Sequence, residues 1–159
     1  MSGDGFRIGH GFDVHPWSDD PGRPLVLAGA VFPGTRGLLG HSDADVIAHA
    51  CTDALLGAAG LGDIGSLFPD TDPALAGADS IELLRLAVRH LSDAGWVTVN
   101  ADCTVVLDAP KMAPRRAEME QTMSLAVGAP VSIKGKRTEG LTSLSEGVQC
   151  FAVALIVAR

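Results

Sequence analysis

The chain has 159 residues, 47% of them apolar and only 19% charged, a balance that fits one globular domain over 1–159 and excludes a disordered chain. Its formal charge of −7, with no basic block, argues against binding nucleic acid through the phosphate backbone. No segment is long and apolar enough to span a bilayer, and the opening MSGDGFRIGHG lacks the basic start and apolar run of a secretory signal. Cys51, Cys103 and Cys150 are an odd number and far apart, with no CxxC spacing, which favours reduced thiols in a cytoplasmic protein over disulfides or a thiolate zinc site.

In chain order, Phe6–His15 reads as a first strand, Ser18–Pro24 as a turn, and Leu25–Phe32 as short strands broken at Gly29. Helical periodicity begins after His41, with Ser42 placed to cap, Asp45 three residues on, and Gly60 and Gly62 at the far end. Asp63–Asp79, with two prolines and four aspartates, is loop-like. A second helix follows with Ser80 as its cap and Gly95 as its end. Trp96–Ala109 alternates as a strand, a third helix starts near Pro114, PVSIKGKRT is a strand, and Gln149–Ala158 is the last one. The order β-β-α-α-β-α-β-β predicts an α+β domain, a mixed sheet with helices on one face.

Within GHGFDVHPW (Gly9–Trp17), Asp13 and His15 stand two apart on a strand and so point to one side of it. A helix packed on that strand brings His49 within reach. One carboxylate and two imidazoles suit Zn²⁺ with a position left open for a ligand. Two readings stand on spacing alone, because D-x-H arises by chance and a lone helical histidine is commonly a core or surface residue. Asp45, His49 and Asp53 fall four apart on one helical face, either as a polar stripe or as carboxylates that orient the imidazole.

The stretches GHGFDVH, LLGHSDADVIAHACTDALLGAAGLGDIGSLFPDTDP and APKM together resemble the 2-C-methyl-D-erythritol 2,4-cyclodiphosphate synthase family, over Gly9 to Ile156. The resemblance implies a lyase of the non-mevalonate isoprenoid pathway in the bacterial cytoplasm. The substrate would be 4-diphosphocytidyl-2-C-methyl-D-erythritol 2-phosphate, whose own 2-phosphate attacks the β-phosphorus so that CMP leaves. It implies Zn²⁺ on Asp13, His15 and His49, and a second ion, Mg²⁺ or Mn²⁺, on Glu139. His41 and Ser42 would contact the 2-phosphate, with His41 stabilising the transition state; plain helix capping remains the other reading of that pair. Asp63, Ile64 and Gly65 would bind sugar hydroxyls, and Phe68, Pro69, Asp70, Thr71 and Asp72 would form a loop over the substrate. Leu107, Asp108, Ala109, Pro110, Lys111, Met112 and Ala113 would read cytosine, largely through their backbone. The family assembles as a homotrimer around a central core, with each cytidine pocket supplied by a neighbour.

The resemblance weakens over KGKRTEGLTSLSEG (Lys134–Gly147), where the family usually has a threonine-rich run before its acidic residue. Lys136 and Arg137 replace two threonines, Thr138 and Glu139 remain, two residues are missing after Glu139, and Leu144 stands where an arginine is usual. Arg137 is expected to take over phosphate contact from the lost threonine, since a guanidinium binds phosphate bidentately. The alternatives are a non-catalytic relative that binds zinc and cytidine nucleotide, and a zinc phosphoesterase that uses water.

Overall fold

The computed structural model describes residues 5–159. Strand β1 (Phe6–Pro16) is followed by a hairpin of β2 (Pro24–Leu27) and β3 (Ala30–Arg36). Then come α1 (Val46–Ala59), the one-turn α2 (Ile64–Leu67), a 3₁₀ turn (Pro73–Leu75) and α3 (Ser80–Asp93). Strand β4 (Trp96–Val106), a 3₁₀ turn (Ala113–Arg115), α4 (Arg116–Val127), β5 (Val131–Lys136), the short α5 (Thr142–Ser145) and β6 (Gly147–Ala158) complete the chain.

The main sheet runs β1-β6-β4-β5. Its β1–β6 and β6–β4 pairs are antiparallel, and β4–β5, joined through α4, is parallel, so the sheet is mixed as expected. On β1 the alternation is plain: Gly9, Gly11, Asp13 and His15 share the side that faces α1, while Ile8, Phe12 and Val14 stand on the other, exposed side. Phe151 and Val153 of β6 continue that open apolar face, with the Phe12 and Phe151 rings 4.9 Å apart. No helix of the described residues is long and apolar enough to cross a membrane.

Helix α1 is apolar on nearly every side, the signature of a helix covered all round. It lies between the sheet and α3, whose Ile81, Leu84, Ala87 and Leu91 form one buried stripe. Its approach to β1 is close enough to exclude a side chain. A Cβ at Gly9 would sit 1.9 Å from the Ala54 carbonyl oxygen, and one at Gly11 1.8 Å from that of Ala50. Only glycine permits backbone contact of this kind.

Helix starts differ from the sequence expectation. Ser42 does not cap α1; Asp45 does, accepting from the backbone N–H groups of Ile47 at 3.1 Å and Ala48 at 3.2 Å. Ala44, at φ 58°, is left-handed, so helical geometry begins only after it. Likewise Asp79, and not Ser80, caps α3, accepting from Ile81 N–H at 2.8 Å. Gly60, at φ 72°, ends α1 as expected. The strand expected to reach Ala109 stops at Val106, and the last strand starts two residues early, at Gly147.

Two glycine substitutions should separate close packing from helix propensity. Gly11→Ala forces α1 off the sheet and should lower the free energy of unfolding by about 1–3 kcal/mol or more. At Gly57, within α1, a Cβ would meet nothing nearer than 3.9 Å, so Gly57→Ala should be neutral or stabilising by up to about 1 kcal/mol. Urea unfolding of both variants measures the contrast.

Candidate metal centre

The α1–β1 contact brings His49 over the strand, where it meets Asp13 and His15. Asp13 Oδ2 lies 2.9 Å from His15 Nε2 and 3.1 Å from His49 Nδ1, and the two ring nitrogens are 3.2 Å apart. One candidate ligand atom from each of the three lies within 4.8 Å of the others. Burial alone would raise the Asp13 carboxyl, but hydrogen bonds from both imidazoles and their charge outweigh it and hold the group at about 2. His15 is pushed up: burial opposes the shift, and the hydrogen bond and charge of Asp13 overcome it.

The other nitrogen of each ring is engaged. His15 Nδ1 donates to the Leu39 carbonyl at 2.8 Å, which points Nε2 toward the centre and leaves it bare when the ring is neutral. His49 Nε2 lies 2.8 Å from Ser80 Oγ and 3.1 Å from Ser42 Oγ, which turns Nδ1 inward. Protons on these rings satisfy the Asp13 carboxylate when no metal is bound; with both rings neutral, two bare nitrogens and a carboxylate oxygen converge on one point and favour a cation between them. The residues therefore fit a divalent metal, and the mixed nitrogen and oxygen set suits zinc.

Neighbouring loops hold this geometry. Arg23 donates to the carbonyls of Leu38, Gly40 (2.8 Å) and Ser42, and so clamps the segment that carries Leu39 and His41. Asp45 caps α1 and also accepts from the backbone of Ala28 at 2.9 Å and Gly29 at 2.7 Å, which ties the β2–β3 turn to the helix. Burial, and then the charge of Asp43, pushes the Asp45 carboxyl up to about 6 against the pull of these N–H groups. Asp53 accepts from Ile64 N–H at 2.7 Å and so anchors α2. The carboxylate of neither Asp45 nor Asp53 bonds to the His49 ring, although the His49 backbone N–H donates to the Asp45 carbonyl, which corrects the reading of them as its orienting carboxylates. That role falls to Ser80 and, behind it, Asp43. The sequence marked Ser80 only as a helix start, and nothing linked it to a residue 37 positions away.

The centre opens into a cavity of about 460 Å³ lined by Asp13, His15, Gly40, His41, Ser42, His49, Ile64, Gly65, Phe68, Pro69, Asp70, Leu75 and Leu83. Most of the residues expected at the sugar and phosphate are thus brought together. His41 Nε2 donates to the Asp72 carbonyl at 3.0 Å, which joins the 68–72 loop to the wall. Asp63, Thr71 and Asp72 do not line this cavity, and Asp63 caps α2 through Ser66 N–H at 2.7 Å.

A second cavity, of about 380 Å³, is lined by Leu107, Asp108, Pro110, Lys111, Met112, Ala113, Arg116, Gly135, Lys136 and Arg137. It shares no residue with the first. Asp108 is its hub: Thr138 donates to it from Oγ1 at 2.6 Å and from N–H at 3.1 Å, and these bonds, ahead of the Arg137 charge, hold its carboxyl below the usual range. Arg137 Nε lies 3.8 Å from Asp108 Oδ1. Ala109 is exposed and lines neither cavity. Glu139 is also exposed, at φ 54°, and lines neither; Arg137 lines the second cavity and not the one at the Asp13–His15–His49 cluster. A cleft of about 540 Å³ between Ser18–Pro24 and Phe32–Arg36 holds none of the expected site residues.

Comparison with known proteins places these features in company. The YgbB family profile matches residues 6–157. A 2-C-methyl-D-erythritol 2,4-cyclodiphosphate synthase of Azoarcus sp. (strain BH72) is 53% identical over 156 residues, covering 95% of each chain. A solved 2C-methyl-D-erythritol-2,4-cyclodiphosphate synthase in its CDP-bound form superposes with a TM-score of 0.85 at 42% identity, over 94% of this chain and 99% of that one. The bifunctional IspDF of Campylobacter jejuni superposes with a TM-score of 0.91 at 37% identity; the match spans 98% of this chain but only 43% of the bifunctional one.

His49 is buried but turns its ring toward the centre, so His49→Ala removes a candidate ligand and little apolar packing. It should leave far-UV circular dichroism intact and cut the metal retained after dialysis to a small fraction of one ion per chain, measured by plasma mass spectrometry. Unchanged metal content would remove His49 from the ligand set.

Proposed function

This chain belongs to the YgbB family, and from that membership we propose that it is a 2-C-methyl-D-erythritol 2,4-cyclodiphosphate synthase acting as one domain in the bacterial cytoplasm. The observation that carries the reading is the convergence of Asp13, His15 and His49 at the mouth of a cavity walled by His41, Ser42 and the 68–70 loop.

In the proposed reaction an oxygen of the substrate's 2-phosphate bonds to the β-phosphorus. The bond from that phosphorus to the bridging oxygen breaks, and CMP carries the bridging oxygen away. No water is consumed and no protein nucleophile is needed, so the enzyme is classed as a phosphorus–oxygen lyase. Catalysis then rests on alignment and on stabilising charge. Zinc bound by Asp13, His15 and His49 would supply a positive charge that polarises the β-phosphate. Magnesium or manganese on Glu139 would neutralise the α- and β-phosphates, since one carboxylate plus phosphate oxygens suits a hard ion.

The chain's own groups do the positioning. His41 and Ser42 hold the 2-phosphate beside the start of α1, while Ile64 and Gly65 meet the sugar hydroxyls and Asp63 fixes α2 behind them. The backbone of Leu107–Ala113 reads cytosine. Arg137 and Lys136, on the rim of that second cavity, take the phosphate contacts of the threonines they replace. The left-handed backbone at Glu139 supports a functional role there, because an unfavourable conformation in a non-glycine residue needs a reason to persist.

We further propose that three copies assemble through the open face of the sheet. Two features support this: Phe12, Val14, Phe151 and Val153 leave an apolar surface on the face of the sheet away from α1, and the metal cluster and the Leu107–Ala113 segment line cavities with no residue in common, which suits a substrate shared between neighbouring copies. The expected mass in solution is three chains.

The assay is incubation of the substrate with zinc and magnesium. CMP with cyclic diphosphate is the expected product pair. CMP with an open-chain bisphosphate would indicate a zinc phosphoesterase, and binding without turnover a non-catalytic relative; either would overturn the proposal. Glu139→Gln should keep its zinc and need at least about tenfold more magnesium for half-maximal rate, read from a magnesium titration of the rate.

A further inference from the structure

We propose that Ser80 and Asp43 are positioning residues that dictate which nitrogen of His49 faces the metal centre. An imidazole can present either nitrogen to a metal, and the choice follows from the hydrogen bond made by the other. Here that bond is directional. Asp43 accepts from Ser80 twice, from its N–H at 3.1 Å and from its Oγ–H. The Ser80 hydroxyl proton is committed to that carboxylate, so toward His49, at 2.8 Å, Ser80 Oγ can only accept. A neutral His49 must therefore carry its proton on Nε2 and turn a bare Nδ1 toward the centre, where Asp13 Oδ2 lies 3.1 Å away.

The arrangement is closed against the opposite tautomer. Asp43 also accepts from Asp45 N–H at 3.1 Å, which fixes it in front of α1. Ser80 is 1% exposed, so water does not compete for its hydroxyl. Ser42 Oγ, 3.3 Å from Ser80 Oγ, accepts from Ala44 N–H at 3.2 Å and supports the same side of the ring. His15 is locked the other way, with Nδ1 on Leu39 and Nε2 inward. The centre thus binds through unlike nitrogens of its two histidines, each selected by a different loop. Because Ser80 opens α3 while His49 lies on α1, the relay also ties the ligand's orientation to the packing of these two helices.

The inference rests on Asp13, His15 and His49 being a metal site, and the wild-type protein tests that reading separately. Zinc affinity is measured by competition with a chromophoric chelator, without substrate, and histidine tautomers by ¹⁵N–¹H correlation on the zinc-loaded protein. Wild type should bind one zinc per chain with His49 protonated on Nε2. Ser80→Ala keeps the Asp79 cap; it should lose about 10–100-fold in affinity and lose the exchange-protected Nε2–H signal. Ser80→Thr restores the hydroxyl and should restore both; Asp43→Asn should fall between. If Ser80→Ala does not fold, Asp43→Asn decides, with at least about tenfold weaker binding expected. Binding within twofold of wild type, with an unchanged histidine spectrum, in the deciding variant overturns the positioning role alone. Absence of zinc binding by the wild type overturns the metal reading and this inference with it.

Discussion

Backbone contact between α1 and β1 is the constraint on which the rest of this structure depends. Gly9 and Gly11 let the helix settle against the strand at a distance no side chain permits. Asp13 and His15 follow on the same side of β1 by strand alternation, so they emerge just beyond the contact. His49 lies one turn from the helix start and completes the cluster. A wider spacing between strand and helix would leave three ordinary polar side chains facing a gap.

The surroundings convert proximity into fixed direction. Leu39 holds one imidazole, Ser80 and Asp43 hold the other, Arg23 clamps the loop between them, and Asp45 stitches the start of α1 to the neighbouring hairpin. This rigidity suits a reaction in which the substrate supplies its own nucleophile. Where the protein contributes alignment and charge instead of a covalent step, small displacements of the site lose much of the rate. A diphosphate entering an acidic chain also needs positive charge near it, which Lys111, Arg116, Lys136 and Arg137 supply at the second cavity and a cation held by Asp13, His15 and His49 would supply at the first.

Much of this was legible in the sequence because it depends on local period. Alternation placed β1 and put Asp13 beside His15, and helical spacing placed α1 and α3. The cap positions were misread for a local reason: serine and aspartate compete for the same role, and the left-handed Ala44 that decides between them leaves no mark in the residue pattern. The partners of His49 were missed for a different reason. Ser80 and Asp43 meet through the packing of α3 on α1, a long-range event that periodicity does not report. The same limit applies to the two cavities. Each is expected from the sequence as a stretch of chain, but that they form cavities with no lining residue in common is visible only in three dimensions.

The most direct test of the account is anomalous diffraction at the zinc absorption edge from crystals of the zinc-loaded protein. One strong peak per chain is expected between Asp13 Oδ2, His15 Nε2 and His49 Nδ1, beside the cavity that His41 and Phe68 line. A peak at any other place, or those three side chains turned away from one another with no peak between them, would contradict it.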